Sequence, residues 1–135
     1  MTNYLLDTNH ASPLVTQDHS LRRRVLNAIQ VGDTFALTVA NLAEVLYGIG
    51  TLPRAAQNRL EWERLRPTFR IYAVEEQDAA ESAEIRIRLR RHGRQIGAID
   101  AMLAAITLRY GLTLLTTDAD FSAVPDLQRA NWLTP

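Results

Sequence analysis

Apolar residues along this chain follow two patterns: short continuous runs, and longer stretches with a helical period. Short apolar runs bounded by polar or turn-forming residues are typical of buried strands. Apolar residues three and four positions apart are typical of amphipathic helices. The short runs predict four strands, at residues 3–6, 35–39, 70–74 and 112–116.

Helical periodicity fills the stretches between these strands. Ser20 is a suitable N-cap for a helix that presents Leu21, Val25 and Ile29 on one face and ends near Gly32. Four further helices are predicted, at residues 41–50, from Pro53 to about Arg66, from Gln77 to Gly93, and at residues 98–110. The apolar residues of the third are Ala79, Ala80, Ala83, Ile87 and Leu89. Gly111 is the predicted C-cap of the fourth.

The order of these elements indicates an α/β fold. Strands alternate with helices along the whole chain, which favours a central, mainly parallel sheet flanked by helices on both faces. At 135 residues the chain has the length of one ordinary domain, and it contains no internal repeat, low-complexity stretch or linker. We therefore expect residues 1–135 to form a single domain.

Composition excludes several classes of protein. Hydrophobic residues make up 47% of the chain and charged residues 22%, as in soluble globular proteins. No apolar run approaches the roughly 18 residues that a membrane span requires, and the first residues do not resemble a secretory signal. A cytoplasmic protein without membrane association is expected. The absence of cysteine excludes disulfides, thiolate metal sites and cysteine nucleophiles.

Net charge gives no general case for nucleic-acid binding, because 15 basic residues balance 15 acidic ones. All the basic residues are arginines, and the stretches 22–24 and 86–94 are rich in them. Such stretches can hold RNA phosphates, but they can equally be solvated helix faces. Glu84 and Arg88 have the spacing of an ion pair along a helix, which favours a solvated face for part of 86–94.

Four acidic residues are predicted at strand ends or helix beginnings. Asp7 ends the first strand, Asp118 follows the last, Glu44 lies early in the helix after the second, and Asp100 lies in the first turn of its helix. Ligands of open parallel sheets bind beyond the carboxyl ends of the strands, so folding can bring these acids to one edge. Each acid also has a structural interpretation, as a cap, a turn residue or a partner of a helix dipole. Glu44 has apolar neighbours, which predict packed surroundings that disfavour a lone charge.

Together the four acids predict a site for a divalent cation. Like charges about 4 Å apart repel by about 4 kcal/mol per pair at an effective dielectric constant of about 20, and each ion also costs desolvation energy. Mg²⁺ offsets this repulsion and binds carboxylates, water and substrate phosphate. A zinc site is disfavoured because the three histidines are scattered, and His10, the nearest to the acids, is interpreted as a loop residue. Mg²⁺ at such a site suits phosphodiester hydrolysis by activated water.

Three blocks of the sequence contain these acids: YLLDTN, TVANLAEVLYGI and GRQIGAIDAMLAAITLRYGLTLLTTDADF. A fourth block, NWL, follows them at residues 131–133. In this order and at these spacings they resemble PIN-domain ribonucleases, specifically VapC-type toxins of bacterial toxin–antitoxin pairs. The resemblance implies a PIN-like fold, cleavage of RNA, and dependence on Mg²⁺ or Mn²⁺. It implies that the acidic cluster comprises Asp7, Glu44, Asp100 and Asp118, with Asp120 as the alternative fourth acid.

The resemblance also implies partners and supporting residues. A homodimer is expected, together with a structured RNA substrate such as tRNA or rRNA and a small antitoxin that blocks the site and alone contacts operator DNA. The helices predicted at 41–50 and 53–66, with Tyr47 and Trp62, are candidates for the antitoxin groove or the dimer contact, and core packing is the alternative. Three further residues are candidates to orient metal-bound water, or alternatively to satisfy loop backbone groups: Thr8, Asn9 and Thr117.

Two other classes of function fit part of the pattern. A catalytically silent PIN-like module would bind RNA or a protein through the same fold, although retention of all four acids speaks against it. A haloacid-dehalogenase-type phosphotransferase also begins with a strand that ends in Asp. It needs a second acid two residues later, where this chain has Asn9, and a lysine, which this chain lacks. A receiver-like signalling domain is disfavoured by the same missing lysine.

Overall fold

The centre of the protein is a sheet of five strands, seen in a computed structural model that describes residues 1–133. The strands are β1 (Asn3–Leu6), β2 (Thr34–Thr38), β3 (Phe69–Tyr72), β4 (Thr113–Leu115) and β5 (Arg129–Ala130). The order across the sheet is β3-β2-β1-β4-β5, and each neighbouring pair is parallel. The predicted α/β fold with a parallel sheet is confirmed.

Helices connect the strands. They are α1 (Thr8–Ala11), α2 (Ser20–Gln30), α3 (Val39–Thr51), α4 (Ala55–Leu65), α5 (Glu76–Arg91) and α6 (Ala98–Arg109), with short 3₁₀ helices at Ser12–Val15, Arg66–Thr68 and Ala119–Ala123. Within residues 1–133, none of the helices has both the length and the apolar character needed to span a bilayer.

Side chains alternate between the two faces of the sheet, and each face carries its own core. In β1, Leu5 belongs to the core formed with α5 and α6, whereas Leu6 belongs to the core formed with α2, α3 and α4. Leu114 and Leu115 of β4 divide in the same way. Because successive strand residues point to opposite faces, this burial on both faces fixes the register of the central strands. The predicted helices on both faces are confirmed.

The sequence pattern does not predict β5. This strand has two residues and pairs with β4 at the edge of the sheet. The pairing continues through backbone hydrogen bonds of 2.9 Å from Leu114 to the Gln128 carbonyl and 3.0 Å from Thr116 to the Ala130 carbonyl. A two-residue edge strand has no apolar run of its own, so only the tertiary pairing reveals it.

Two helix beginnings differ from their predictions. The N-cap of α2 is His19 instead of Ser20, because His19 Nδ1 accepts a 3.0 Å hydrogen bond from the Leu21 backbone N–H. Pro53 lies outside α4, because Arg54 adopts a left-handed conformation with φ 65° just before the helix begins. A helix cannot extend back through a left-handed residue.

The buried face of α5 also differs from its prediction. The three alanines expected on that face are exposed, and Ile87 is 43% exposed. Asp78 and Ser82 are buried instead because both are hydrogen-bonded: Asp78 Oδ2 accepts a 3.0 Å bond from Arg109, and Ser82 donates to a carbonyl of its own helix. Two of the four buried positions of α5 hold polar residues, so the apolar residues alone do not show which face of the helix is buried. The buried residues of this helix are Asp78, Ser82, Ile85 and Leu89.

Candidate active site

Asp7 lies at the carboxyl end of the central strand. Its backbone N–H donates a 3.0 Å hydrogen bond to the Leu115 carbonyl, which continues the pairing of β1 with β4. The residue is only 7% exposed. Its Oδ1 accepts a 2.7 Å bond from the Thr8 N–H, and its Oδ2 accepts bonds from Asn9 Nδ2 at 3.2 Å and Thr116 Oγ1 at 2.8 Å. Three donors therefore hold this carboxyl group in one orientation.

Thr116 connects Asp7 to Asp118. Its hydroxyl donates to Asp7 and accepts a 3.0 Å hydrogen bond from the backbone N–H of Asp118. Asp118 then caps the 3₁₀ helix that follows, with Oδ1 accepting a 2.8 Å bond from the Asp120 N–H. One buried hydroxyl thus fixes the loop after β4 relative to the end of β1.

The buried side chain of Asn41 positions Glu44. Asn41 forms a capping box with Thr38 at the start of α3 and donates a 2.8 Å hydrogen bond to the Leu6 carbonyl at the end of β1. Glu44 lies three residues later, next to Asn41 along the helix but at the exposed edge of its buried side. Its Oε2 accepts a 3.1 Å hydrogen bond from Thr8 Oγ1. These hydrogen bonds hold α3 against β1 in an orientation that brings Glu44 next to Thr8, the residue after Asp7.

The expectation that Glu44 lies in packed surroundings is wrong. Its side chain is exposed, and so is that of Leu46, because α3 buries one side only, through Asn41, Val45 and Ile49. Its link to the other acids comes from its position on the helix rather than from burial.

Asp100 shares its surroundings with the other acids. It lies in the first turn of α6, where burial raises its pKa to about 6, with further contributions from the negative charges of Asp7, Asp118, Glu44 and Asp120. Burial also raises the pKa of Asp7, and the charges of Asp118 and Glu44 add to the rise while its hydrogen bonds oppose it. The structure thus brings the four predicted acids together at the carboxyl edge of the sheet.

Asp118 and Asp120 occupy different positions relative to this cluster. Asp118 is half-buried, and its charge raises the pKa of both Asp7 and Asp100. Asp120 is exposed, and its charge contributes to the pKa of Asp100 but not to that of Asp7. Burial and charge therefore support Asp118 over Asp120, and the assignment of Asp118 as the fourth acid stays a prediction.

The chemistry of the donors fits a hard divalent cation. Five carboxylates can supply oxygen ligands, and Mg²⁺ prefers oxygen. Within residues 1–133, no three acidic or histidine side chains already converge as in a preformed metal centre. Mg²⁺ commonly binds through one or two carboxylates and keeps several waters, so a preformed group of three protein ligands is not required. The candidate ligands are Asp7, Glu44, Asp100, Asp118 and Asp120.

His10 is not the loop residue that the sequence suggests. It lies in α1 and is completely buried, with Nδ1 2.7 Å from Asn9 Oδ1 and Nε2 accepting a 3.0 Å hydrogen bond from the Trp132 N–H. Burial lowers the pKa of His10 to about 4, so the ring is neutral at pH 7. Asn9 also contacts Asp7, and the Thr117 N–H lies 3.3 Å from Asn9 Oδ1. Asn9 and Thr117 therefore satisfy polar groups around Asp7. Their role in orienting metal-bound water stays a prediction.

Sequence reasoning missed three residues that support the acids: Asn41, Thr116 and His10. Asn41 has a local signal, because it stands three residues after Thr38 in the spacing of a capping box. Thr116 and His10 have no comparable signal, since their partners lie 109 and 122 residues away in the sequence.

Arginines of α5 and of the turn that follows it line a groove near Asp100. Arg86, Arg90 and Arg94 border it, and the expected Glu84–Arg88 ion pair is not formed. Within the part of the chain that the structure describes, none of the three bordering arginines has an ion-pair partner. The groove has a volume of about 550 Å³ and is lined by Ala83, Arg86, Ile87, Arg90, Arg94, Gln95 and Ile96.

The chain continues directly from this arginine groove into the helix that carries Asp100. Ile96 lines it, and Gly97, the next residue, is the N-cap of α6. Asp100 Oδ2 lies 4.0 Å from the position that a Cβ atom at Gly97 would take. A row of free positive charges therefore runs along α5 towards the carboxylates.

The sequence of this chain is similar to known toxins and ribonucleases. Toxin FitB of Neisseria gonorrhoeae is 33% identical over 121 residues, which cover 84% of this chain and 86% of FitB. Ribonuclease VapC2 of Rickettsia felis is 25% identical over 130 residues, which cover 96% and 97% of the two chains.

The fold is also found in a solved complex. In the crystal structure of VapBC2 from Rickettsia felis bound to a DNA fragment from its promoter, one chain superposes with a TM-score of 0.83 at 23% identity, covering 97% of this chain and 99% of that one. The PIN domain family profile matches residues 4–127. With this match over most of its length, the chain belongs to the PIN-domain family.

Proposed function

We propose that this protein is a metal-dependent endoribonuclease toxin that hydrolyses RNA phosphodiester bonds and is neutralised by a cognate antitoxin. Membership of the PIN-domain family and similarity to a toxin and a ribonuclease support this function. The observation that carries it is the grouping of the half-buried Asp100 with four other carboxylates at the carboxyl edge of the sheet, whose burial and charges raise the pKa of Asp100 to about 6. Such a cluster is unfavourable without a compensating cation.

The cation of this proposal is Mg²⁺, with Mn²⁺ as a substitute. When bound, Mg²⁺ supplies Lewis acidity towards the scissile phosphate and lowers the pKa of water. Asp7 and Asp100 are its principal candidate ligands, because burial and neighbouring negative charges disfavour their ionised forms in its absence. Glu44, Asp118 and Asp120 are candidates to contribute directly or through water.

The side chains around Asp7 orient its carboxyl group for this role. Asn9 and Thr116 both donate to Oδ2, while Oδ1 accepts a single hydrogen bond from the Thr8 N–H. Each carboxylate oxygen has two lone pairs, so Oδ1 keeps one free for a further partner. The protein thus fixes the direction in which Asp7 presents an unused acceptor.

The arginine groove beside α5 is the proposed surface for the RNA backbone. Arg86, Arg90 and Arg94 are exposed and have no ion-pair partner within residues 1–133, so they are free to neutralise phosphates. The lining ends at Ile96, four residues before Asp100 in the chain, so a strand bound along the groove would be directed towards the helix end that carries this acid. A structured RNA such as tRNA or rRNA is the proposed substrate, and the cytoplasm is the proposed location.

The proposed protein partners are a second copy of this chain and a small antitoxin, which alone would contact operator DNA. Five apolar side chains on α3, α4 and the turn between them are at least 45% exposed and suit such contacts: Val39, Leu46, Tyr47, Leu52 and Leu60. Trp62, a candidate from the sequence, is 7% exposed and stacks on Phe69 at 5.8 Å, so it belongs to the core. The reading frame directly upstream is expected to encode a small DNA-binding protein that co-purifies with this chain.

A cleavage assay tests the enzymatic proposal. The purified chain is incubated with tRNA and rRNA in Mg²⁺, in Mn²⁺ and in chelator, and the cleaved ends are mapped. We expect metal-dependent cuts at defined positions that Asp7→Asn and Asp100→Asn abolish. RNA binding without cleavage by the unmodified protein, in both metals, would instead identify a catalytically silent module.

A further inference from the structure

His10 is completely buried, and both of its ring nitrogens are hydrogen-bonded. Nε2 faces the backbone N–H of Trp132 at 3.0 Å, and Nδ1 faces the side-chain oxygen of Asn9 at 2.7 Å. Both contacts are hydrogen bonds, and His10 is not part of either hydrophobic core. Together they place an imidazole between the C-terminal part of the chain and the residue that contacts Asp7.

The Trp132 contact determines the tautomer of His10. A backbone N–H can only donate, so Nε2 must carry a lone pair. The proton of the neutral ring then lies on Nδ1 and points to Asn9 Oδ1, which can only accept. Both contacts are satisfied by this one neutral tautomer.

The same reasoning fixes the orientation of the Asn9 amide. Two donors face its oxygen, the His10 Nδ1–H at 2.7 Å and the Thr117 N–H at 3.3 Å. A flipped amide would place its NH₂ group against both donors. The NH₂ group therefore points to Asp7 Oδ2 at 3.2 Å, and a continuous set of hydrogen bonds runs from Trp132 through His10 and Asn9 to Asp7.

The C-terminal end of this set is anchored independently of His10. The Trp132 ring lies 4.9 Å from the Tyr4 ring and 5.8 Å from the Phe35 ring, and the Arg24 guanidinium lies 3.9 Å above it. These contacts are made by the strands β1 and β2 and by α2. The N–H that selects the tautomer is therefore held by the body of the fold.

We propose that His10 is a positioning residue for the nuclease: its Nδ1–H tautomer, selected by the Trp132 backbone, orients the Asn9 amide so that Asn9 donates to Asp7. The segment around Trp132 is in this way part of the active site, although it contributes no side chain to it. This inference rests on the proposed ribonuclease function for its effect on catalysis, but its structural step can be measured without RNA.

Nitrogen NMR of the metal-free wild-type protein tests the structural step. We expect His10 to be neutral at pH 7 with its proton on Nδ1. A proton on Nε2 or a charged ring would overturn the proposal. This measurement needs neither RNA nor metal, so its outcome is distinct from failure of the ribonuclease proposal, and it keeps the structural step falsifiable even if every His10 variant fails to fold.

Two variants separate the two hydrogen bonds. His10→Asn places an amide N–H near the position of Nδ1 and keeps the donor to Asn9, whereas His10→Gln places an acceptor near Nε2 and keeps the contact with Trp132. We expect His10→Asn to retain a kcat within about threefold of wild type and His10→Gln to lose about tenfold or more in kcat, with KM for RNA unchanged in both.

A readout without RNA accompanies these rates. The NMR signals of the Asn9 side-chain amide in metal-free protein should stay at their wild-type positions in His10→Asn and shift in His10→Gln, which lacks the donor to Asn9. Equal losses of kcat and equal Asn9 amide signals in the two variants, or greater loss in His10→Asn, would show that His10 acts only by anchoring the C-terminal segment and would overturn the proposal.

Discussion

The hydroxyl of Thr116 donates a 2.8 Å hydrogen bond to Asp7 Oδ2, and the two residues are 109 positions apart in the sequence. The same hydroxyl accepts from the Asp118 N–H, so it joins the acid that ends β1 to the loop that follows β4. The relative position of two of the proposed catalytic acids thus depends on one buried oxygen atom.

Replacing Thr116 by valine should therefore impair catalysis and stability together. The substitution keeps the shape of the side chain but leaves the Asp118 N–H without its acceptor and Asp7 without one donor. We expect a loss of about 1–3 kcal/mol in the free energy of unfolding and about tenfold in kcat for RNA cleavage. Denaturant unfolding and initial cleavage rates measure the two effects.

Thr107→Val is the matched control. Thr107 is equally buried, but its hydroxyl donates at 2.7 Å to the Leu103 carbonyl within α6, away from the acids. We expect it to change the unfolding free energy without changing kcat. Equal cleavage rates for Thr116→Val and wild type would show that the connection between the loops is not needed for catalysis.

Asp100 should make the stability of the metal-free protein depend on pH. Its pKa is about 6 in the folded chain and 3.8 in the reference state, so the folded state holds the proton more tightly. Its contribution to stability is therefore greatest below pH 4 and is lost as the pH rises to about 6. Asp100→Asn should remove this loss and raise the free energy of unfolding at pH 7 by about 1–2 kcal/mol, after allowance for the water that reaches this half-buried side chain.

Unfolding curves in chelator between pH 4 and pH 7 measure this difference. Asp18→Asn, an exposed carboxylate outside the cluster, controls for the loss of one negative charge. Mg²⁺ should reverse the order of stability, because it stabilises the wild-type cluster and not the variant. A wild-type and an Asp100→Asn protein with the same pH dependence would contradict the raised pKa.

Asparagine substitutions should distinguish Asp118 from Asp120. Asp118 acts electrostatically on both Asp7 and Asp100, whereas Asp120 contributes to Asp100 alone. We expect Asp118→Asn to lower kcat by roughly 10- to 100-fold and Asp120→Asn by less than about threefold. The reverse order in a cleavage assay with saturating Mg²⁺ would make Asp120 the fourth acid.

Arginines of the groove should govern the salt dependence of RNA binding. Replacing Arg86, Arg90 or Arg94 by glutamine should weaken binding and reduce the slope of log affinity against log salt by about 0.7–0.9 for each phosphate that is no longer neutralised. Arg91→Gln is the matched control, since Arg91 is exposed on α5 but does not line the groove. Fluorescence anisotropy with the Asp7→Asn protein measures binding without cleavage, and identical slopes for all four variants would exclude the groove as the RNA surface.

The sequence allowed prediction of the parallel sheet and of the acids at its carboxyl edge, because both depend on local patterns. Asp7 and Asp118 directly follow or closely follow apolar strands, and Asp100 opens a helix, so the topology alone brings them near each other. Burial could not be predicted in the same way. Glu44 has apolar neighbours but is exposed, and Asp78 has a polar side chain but is buried against Arg109.

The residues that hold the acids were not predictable from local patterns. Thr116 looks like any strand-end threonine, and His10 looks like a polar residue after a turn, until the fold supplies partners more than 100 positions away. A short edge strand such as β5 likewise forms only by pairing with its neighbour, β4. Hydrogen bonds between residues far apart in the sequence produce no periodic pattern, and Thr116 and His10 support the site through such bonds.

The central position of β1 has a consequence for synthesis of the protein. Asp7 is translated 109 residues before Thr116, whose hydroxyl holds its carboxyl group. Parallel pairing of β1 with β4 must likewise wait for the far end of the chain. A nascent or prematurely terminated chain that lacks β4 and Thr116 therefore carries the first acid without a nuclease centre, and the ribosome is exposed to the assembled centre only after residue 116 has been translated and β1 has paired with β4.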